Sequence, residues 1–261
     1  MSAGPLAGKR ILVTRPREQA AGLAGLISQA GGEAILFPAI EIADIADPTR
    51  FNAIADRLQE FDLAIFISPT AVQRALDLLR LRRKDKAWPA RVRVAAVGRG
   101  SARELERRGL SGVVAPPGHA DSEALLGLPA LAEVAGKRIV IFRGQGGRER
   151  LGDTLAARGA RVEYAECYRR VRPQPDASAA APSWTRGALD AVTVSSAEGL
   201  YNLDAMLGAW RRDWLRESPL FVTHARVAEQ AARLGARNAV IAGAGDEEFA
   251  ARLVAYFRDG K

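Results

Sequence analysis

The chain holds 261 residues, 48% hydrophobic and 26% charged, which excludes a disordered or fibrous protein and exceeds one ordinary domain of ~100–150 residues. One cysteine (Cys167) and two histidines (His119, His224) exclude a disulfide-stapled module and a structural zinc site, and no run approaches the ~18 apolar residues of a membrane span. With no apolar signal core in its first ten residues, the chain is expected to be cytoplasmic, and its net charge of +8 points to a polyanionic partner.

The elements, taken in chain order, repeat. Gly8-Lys9-Arg10-Ile11 recurs as Gly136-Lys137-Arg138-Ile139, 128 residues later. Leu23, Gly31, Asp62 and Ser68 recur at the same offset as Leu151, Gly159, Asp190 and Ser196, and Gly109 recurs as Gly235 at 126. Each copy opens with a β-branched run, Ile11–Thr14 or Ile139–Phe142, and continues into a helix. In the first of these, Leu23, Leu26, Ile27 and Ala30 form a buried stripe at helical spacing, stopped by Gly31 or Gly32. A second strand is predicted over 34–42 or 162–171, and a third ends at Ser68 or Ser196. A fourth strand (92–97 or 220–223), a helix (101–108 or 227–234) and a short last strand (112–115 or 239–242) complete each copy. Strands alternating with helices predict an α/β protein with parallel sheets covered on both faces.

In such sheets ligands sit beyond the carboxyl ends of the strands. Residues at those ends are Thr14, Arg15 and Pro16; Ser68, Pro69, Thr70 and Ala71; Gly98, Arg99, Gly100 and Ser101; Arg143 and Gly144; Ser195, Ser196 and Ala197; and Thr223, His224, Ala225 and Arg226. Hydroxyls, glycines and arginines at helix N-termini bind anions, although capping alone also explains Ser68, Ser101 and Ser196. Phosphate-loop, dinucleotide and nucleophile-elbow motifs are absent. Cys167 reads as a buried thiol within a strand, and His224 stays open between a structural role and proton transfer. Residues 80–108, with eleven basic and three acidic side chains, carry the whole net charge. Arg80, Arg82, Arg83, Lys84 and Lys86 in that run read as a solvated helix end, and with 6% aromatic residues none interleave for nucleic acid.

Three blocks resemble the uroporphyrinogen-III synthase family. They are Leu12-Val13-Thr14-Arg15-Pro16; Phe37-Pro38-Ala39-Ile40-Glu41-Ile42; and the stretch from Phe142-Arg143-Gly144-Gln145-Gly146-Gly147-Arg148-Glu149 to Glu166-Cys167-Tyr168-Arg169-Arg170, which resembles the proteobacterial branch. Ser68-Pro69-Thr70-Ala71-Val72 and Ala96-Val97-Gly98-Arg99 match weaker motifs. The resemblance implies two similar flavodoxin-like domains, one inserted in the other. Residues 1–40 and 172–261 would form the first and 44–167 the second, joined by extended linkers at about 38–43 and 166–171. Each would take its first strand from one repeat and the rest from the other. It further implies closure of hydroxymethylbilane to uroporphyrinogen III in the cleft between domains, with inversion of ring D and loss of water, and with no cofactor or metal.

Tyr168 would then assist departure of the hydroxyl. Carboxylates of the substrate would meet Arg15, Ser68, Thr70, Gly98, Ser101, Arg143, Gly144, Arg148, Ser195, Ser196, Ala197, Thr223, His224 and Arg226. A monomer, transiently met by the preceding enzyme and free of nucleic acid and membrane, is expected. The alternative is a non-catalytic protein that binds a small polyanion in the same cleft.

Overall fold

Ile11 and Val13 of the first strand pack into one apolar cluster and Leu12 into another, so this strand is covered on both faces as its unbroken apolar run requires. The computed structural model describes residues 4–84, 86–118, 121–147, 149–174, 189–207 and 215–259. His119 and Arg148 lie outside the described residues. Strands are β1 (Arg10–Val13), β2 (Glu33–Leu36), β3 (Glu41–Ala43), β4 (Leu63–Phe66), β5 (Arg93–Ala96), β6 (Arg138–Gly144), β7 (Arg161–Val171), β8 (Ala191–Val194), β9 (Leu220–Val222) and β10 (Ala239–Ile241). Helices are α1 (Arg17–Gln29), α2 (Thr49–Asp56), α3 (Pro69–Arg83), α4 (Arg99–Arg107), α5 (Ser122–Leu126), α6 (Arg150–Ala157), α7 (Ala197–Leu207), α8 (Ala225–Arg233) and α9 (Asp246–Arg258).

Two compact units result, Met1–Ile42 with Val171–Lys261, and Ala43–Arg170. In the first the strand order is β10-β9-β8-β1-β2, all parallel. One side of this sheet carries Leu12, Val192, Val194 and Leu220 against Leu200, Leu203 and Val227 of α7 and α8. The other carries Ile11, Val13, Phe221 and Val240 against Leu23, Ile27, Phe249 and Leu253 of α1 and α9. Each fully buried Leu, Ile or Phe side chain contributes about 1.5–3 kcal/mol, so the two layers dominate the stability of the unit. Within α1, Ala20, Leu23 and Ile27 are buried whereas Leu26 is only half-buried, so the buried stripe is narrower than its spacing predicts.

The second unit has the order β3-β7-β6-β4-β5, with β5, β4, β6 and β7 parallel. Leu63, Ile65, Ile139 and Ile141 face Leu151 and Leu155 of α6, while Phe66 and Phe142 stack on the opposite side with centroids 4.8 Å apart.

The repeat survives in register. Arg10 pairs with Glu33 and Arg138 with Arg161; Ile11 pairs with Ala191 and Ile139 with Leu63. Each copy's aspartate holds the other copy's opening strand: Asp190 Oδ2 accepts from Arg10 N–H at 2.9 Å and Asp62 Oδ2 from Arg138 N–H at 2.8 Å. Gly31 and Gly159, just past α1 and α6, adopt φ of +87° and +85°, the left-handed stop that a Cβ disfavours.

Three expectations are corrected. The strand predicted over 34–42 is broken: β2 joins the first sheet and β3 the second, because Pro38 lacks an N–H and cannot continue a ladder. Each sheet exchanges two strands between copies rather than one, since β1 and β2 join β8–β10 while β6 and β7 join β4 and β5. The last strand of copy one reduces to a single bridge between Val114 and Ala95, because Gly112 and the Pro116-Pro117 pair leave no length for more.

Candidate functional site

The strand-end residues fall into two kinds of helix start. Ser68 caps α3, its Oγ accepting from Ala71 N–H at 3.0 Å, and Ser196 serves α7 likewise through Gly199 N–H at 3.0 Å. Gly98 and His224 stand at the starts of α4 and α8 and give the N–H groups of the first turn no side-chain cap. His224 and Arg226 are exposed, Ser195 and Ala197 half-buried. Thr223 Oγ1 donates to the Ser195 carbonyl at 3.3 Å, linking β9 to β8 at their carboxyl ends. Thr70 and Ser101 are buried within the first turns of α3 and α4. Those two residues are therefore packed within their own unit rather than displayed on its surface.

Tyr168 lies near the end of β7, 3% exposed, with its hydroxyl 3.4 Å from Ser68 Oγ. It reaches there through a shift in register: Arg143 pairs with Glu166 but Gly144 pairs with Tyr168, leaving Cys167 as the extra residue of a bulge. Bulges re-aim side chains and are common beside active sites. Gly144 makes room, since a Cβ there would come within 2.7 Å of two ring carbons of Tyr168. Cys167 is buried, donates towards the Arg143 carbonyl at 3.2 Å, and has its thiol pushed up to about 12 by burial. It is a neutral packing group, as its strand position led one to expect.

Of the strand-end arginines, Arg15 and Arg143 are both engaged. Arg15 pairs with Asp246 at the start of α9, its guanidinium 5.0 Å from the Phe249 ring centroid. Arg143 donates through Nη1 to the Gly147 carbonyl (3.1 Å) and through Nη2 to Glu166 Oε1 (3.3 Å), and stacks 3.9 Å over Tyr164. The Tyr164 hydroxyl donates to the Glu149 carbonyl, and burial raises its pKa while the Arg143 charge opposes the rise. Among the site residues, Glu166, like Tyr164, is one that sequence reasoning left without a role. Its only sequence signal is the spacing Tyr164, Glu166, Tyr168, which places every second residue on one side until the bulge intervenes.

Among the described residues no group of His, Cys, Asp and Glu could hold a metal ion, and no helix is long and apolar enough to cross a membrane. Arg80, Arg82 and Arg83 close α3 and Lys84 caps it, with Arg82 paired to Asp56. They stand at the opposite end of α3 from Ser68, a helix of 15 residues and so roughly 22 Å long.

Comparison with known proteins settles the family. The family model described as uroporphyrinogen-III synthase HemD matches residues 21–248. The chain belongs to the uroporphyrinogen-III synthase family. It is 37% identical to the uroporphyrinogen-III synthase of Salmonella typhimurium over 240 residues, covering 91% of this chain and 96% of that one. It is 36% identical to that of Escherichia coli over 242 residues, with the same coverage. The fold matches solved uroporphyrinogen III synthases from Thermus thermophilus (TM-score 0.61, 19% identity, 96% of this chain and 98% of that chain) and Helicobacter pylori (TM-score 0.60, 14% identity, 96% and 100%). The protein is thus a cyclising lyase of porphyrin and heme biosynthesis, in a family that acts on a polypyrrole.

Proposed function

We propose that the protein closes hydroxymethylbilane to uroporphyrinogen III, with Tyr168 and Ser68 supplying the proton and the strand ends holding the carboxylates. The observation that carries this reading is the Tyr168 hydroxyl 3.4 Å from Ser68 Oγ at the carboxyl end of a parallel sheet. In the first step the C–O bond of the hydroxymethyl group breaks, its oxygen takes a proton and leaves as water, and the pyrrole nitrogen lone pair stabilises the resulting azafulvenium cation. Ring D attacks through its substituted carbon to give a spiro intermediate, and the bond from that carbon to the methylene of the neighbouring ring breaks. The methylene rejoins ring D at its free α-carbon, and the proton that carbon loses replaces the one spent on the water. The sum is loss of one water with no net oxidation. Unaided closure gives the type I isomer, so most of the enzyme's work is holding the chain in the geometry for attack at the substituted carbon.

Tyr168 is buried and Ser68 half-buried, so the serine is the accessible end of the pair. Ser68 Oγ accepts from Ala71 N–H, which leaves its own proton to pass outward while the tyrosine replenishes it. Carboxylates bind best where first-turn N–H groups lack a side-chain cap, at Gly98 and His224, with Arg226 close by and Ser195, Ser196, Ala197 and Thr223 along the neighbouring strand ends. Arg15 serves the last helix rather than the substrate, which its pairing with Asp246 supports. Arg148 remains a candidate charge partner by sequence. The organisation proposed is a domain of residues 1–40 and 172–261 with 44–167 inserted, acting as a monomer in the cytoplasm; the division of the chain after Ile42 and Arg170 supports it.

Purified protein supplied with hydroxymethylbilane should give the type III isomer in excess of type I; type I alone would refute the reading. Tyr168→Phe should lower turnover ~10-fold or more with the fold intact, since a positioned proton donor contributes about 10²–10⁴.

A further inference from the structure

The turn that follows β6 is tied back to the end of β7 at three points, all within the stretch that carries Tyr168. Gln145 N–H donates to the Tyr168 carbonyl at 2.8 Å. Arg143 spans the turn, donating through Nη1 to the Gly147 carbonyl and through Nη2 to Glu166. Glu166 Oε1 also accepts from Gly146 N–H at 3.4 Å, so one carboxylate oxygen gathers the arginine and the turn backbone together. The Arg143 side chain is 7% exposed and lies flat on Tyr164, which leaves its guanidinium little freedom to meet anything else. Beneath this clasp the ladder slips by one residue, and that slip brings Tyr168 beside Gly144 with its hydroxyl towards Ser68.

We infer that Glu166 and Arg143 are positioning residues for Tyr168, their ion pair closing the turn over the bulge and thereby fixing where the tyrosine hydroxyl stands. The inference rests on Tyr168 being the proton donor. The Tyr168 hydroxyl faces Ser68 and the Glu166 carboxylate faces Arg143 and Gly146, so the action runs through the Gly144–Gly147 backbone and the shared register. A bulge has one unpaired residue and a locally weakened ladder, so its geometry depends on what closes it. Without the carboxylate, the arginine loses its ion pair to β7 and Gly146 its acceptor there, while Gln145 still fastens the turn to Tyr168. This replaces the expectation that Arg143 meets a substrate carboxylate.

Glu166→Gln and Arg143→Lys test it. Each should lower kcat on the order of 10-fold, because small misplacements of a reacting group cost that much or more, while KM stays within about two-fold. An independent readout is ¹⁹F NMR of protein made with 3-fluorotyrosine. The chain has four tyrosines, and the resonance lost in Tyr168→Phe identifies position 168. That resonance should shift or broaden in both variants. Unchanged kcat with an unmoved resonance overturns the inference. So does a raised KM with unchanged kcat, which would make Arg143 a substrate contact. Unchanged turnover in Tyr168→Phe would defeat the proton-donor reading instead, and the resonance alone would then decide whether the clasp holds the ring.

Discussion

The two units are the same design worked twice, and their strand ends differ at one position that matters for the proposed chemistry. At the 128-residue offset Ser68 corresponds to Ser196 and both cap a helix with the same 3.0 Å bond, yet Tyr168 corresponds to Ile40. Ile40 reaches α7 too: its Cδ1 lies 3.7 Å from where a Cβ on Gly199 would be. One unit therefore sets a tyrosine hydroxyl beside its capping serine, and the other has an isoleucine at the corresponding position. Arg15 and Arg143 also correspond, and each is held by a carboxylate and an aromatic ring from a different element. A duplicated scaffold has kept its caps and turns while its strand ends have diverged. Tyr168 and Ser68 come from different copies but meet in one unit, and both units have a helix start without a side-chain cap, at Gly98 and at His224.

The largest test of that contrast is Gly144. Its counterpart is Pro16, where a side chain is already present, whereas at Gly144 a Cβ would meet the Tyr168 ring at 2.7 Å. Gly144→Ala must push the ring off its place, and turnover should fall on the order of 10² while Pro16→Ala changes it less than about two-fold. Steady-state kinetics on both variants decide it. Equal effects would mean that Tyr168 is no more special than Ile40.

Next are the aspartates, which should behave alike because their bonds do. Asp62→Ala and Asp190→Ala each remove a carboxylate that accepts a backbone N–H from the opposite copy, at a cost of about 1.5–3 kcal/mol. Urea unfolding should show similar losses for the two. Each carboxylate also has a partly exposed ion pair, Asp62 with Arg91 at 3.3 Å and Asp190 with Lys9 at 2.9 Å, which should add little; a markedly larger loss at Asp190 would credit the shorter of the two.

The serines then separate capping from chemistry. Ser68→Ala and Ser196→Ala should each lose about 1 kcal/mol of stability with the cap. Only Ser68→Ala should also lower kcat, by roughly 10-fold as a relay group is lost, while Ser196→Ala should act through KM. A kcat loss of equal size in both would erase the assignment of chemistry to the second unit.

How much of this the sequence disclosed follows from what kind of residue carried each feature. The repeat was readable because its anchors are residues with one job: Gly31 and Gly159 at positive φ, Asp62 and Asp190 on a backbone N–H, Ser68 and Ser196 as caps. The parting of 34–42 between two sheets was not, because residues on both sides of Pro38 are apolar enough to bury in either sheet and only pairing reveals which. The bulge at Cys167 uses neither Gly nor Pro on its own strand, so nothing local announces it. Arg15 sits 231 residues from Asp246, and a long-range ion pair leaves no periodic trace.

Cys167 offers the smallest effect and the cleanest one, because the other copy has already made the substitution. At the 128-residue offset it corresponds to Ala39, and both are essentially inaccessible, at 1% and 0%. Cys167→Ala should cost about 1 kcal/mol or less, the worth of one small buried group, and leave turnover within about two-fold. The thiol also reports on pH. Burial holds it protonated up to about 12 in the folded protein against an ordinary 9, so its contribution is present below pH 9 and is lost as pH rises towards 12. Cys167→Ala should therefore unfold less readily than the parent as the medium is made alkaline, while behaving almost identically at pH 7. Alkylation by iodoacetamide should be slow in the folded state and fast in urea, because reaction needs both exposure and the thiolate. Rapid labelling of the native protein at neutral pH would mean that the bulge opens readily, and Tyr168 would then stand on a far looser strand than Ile40 does.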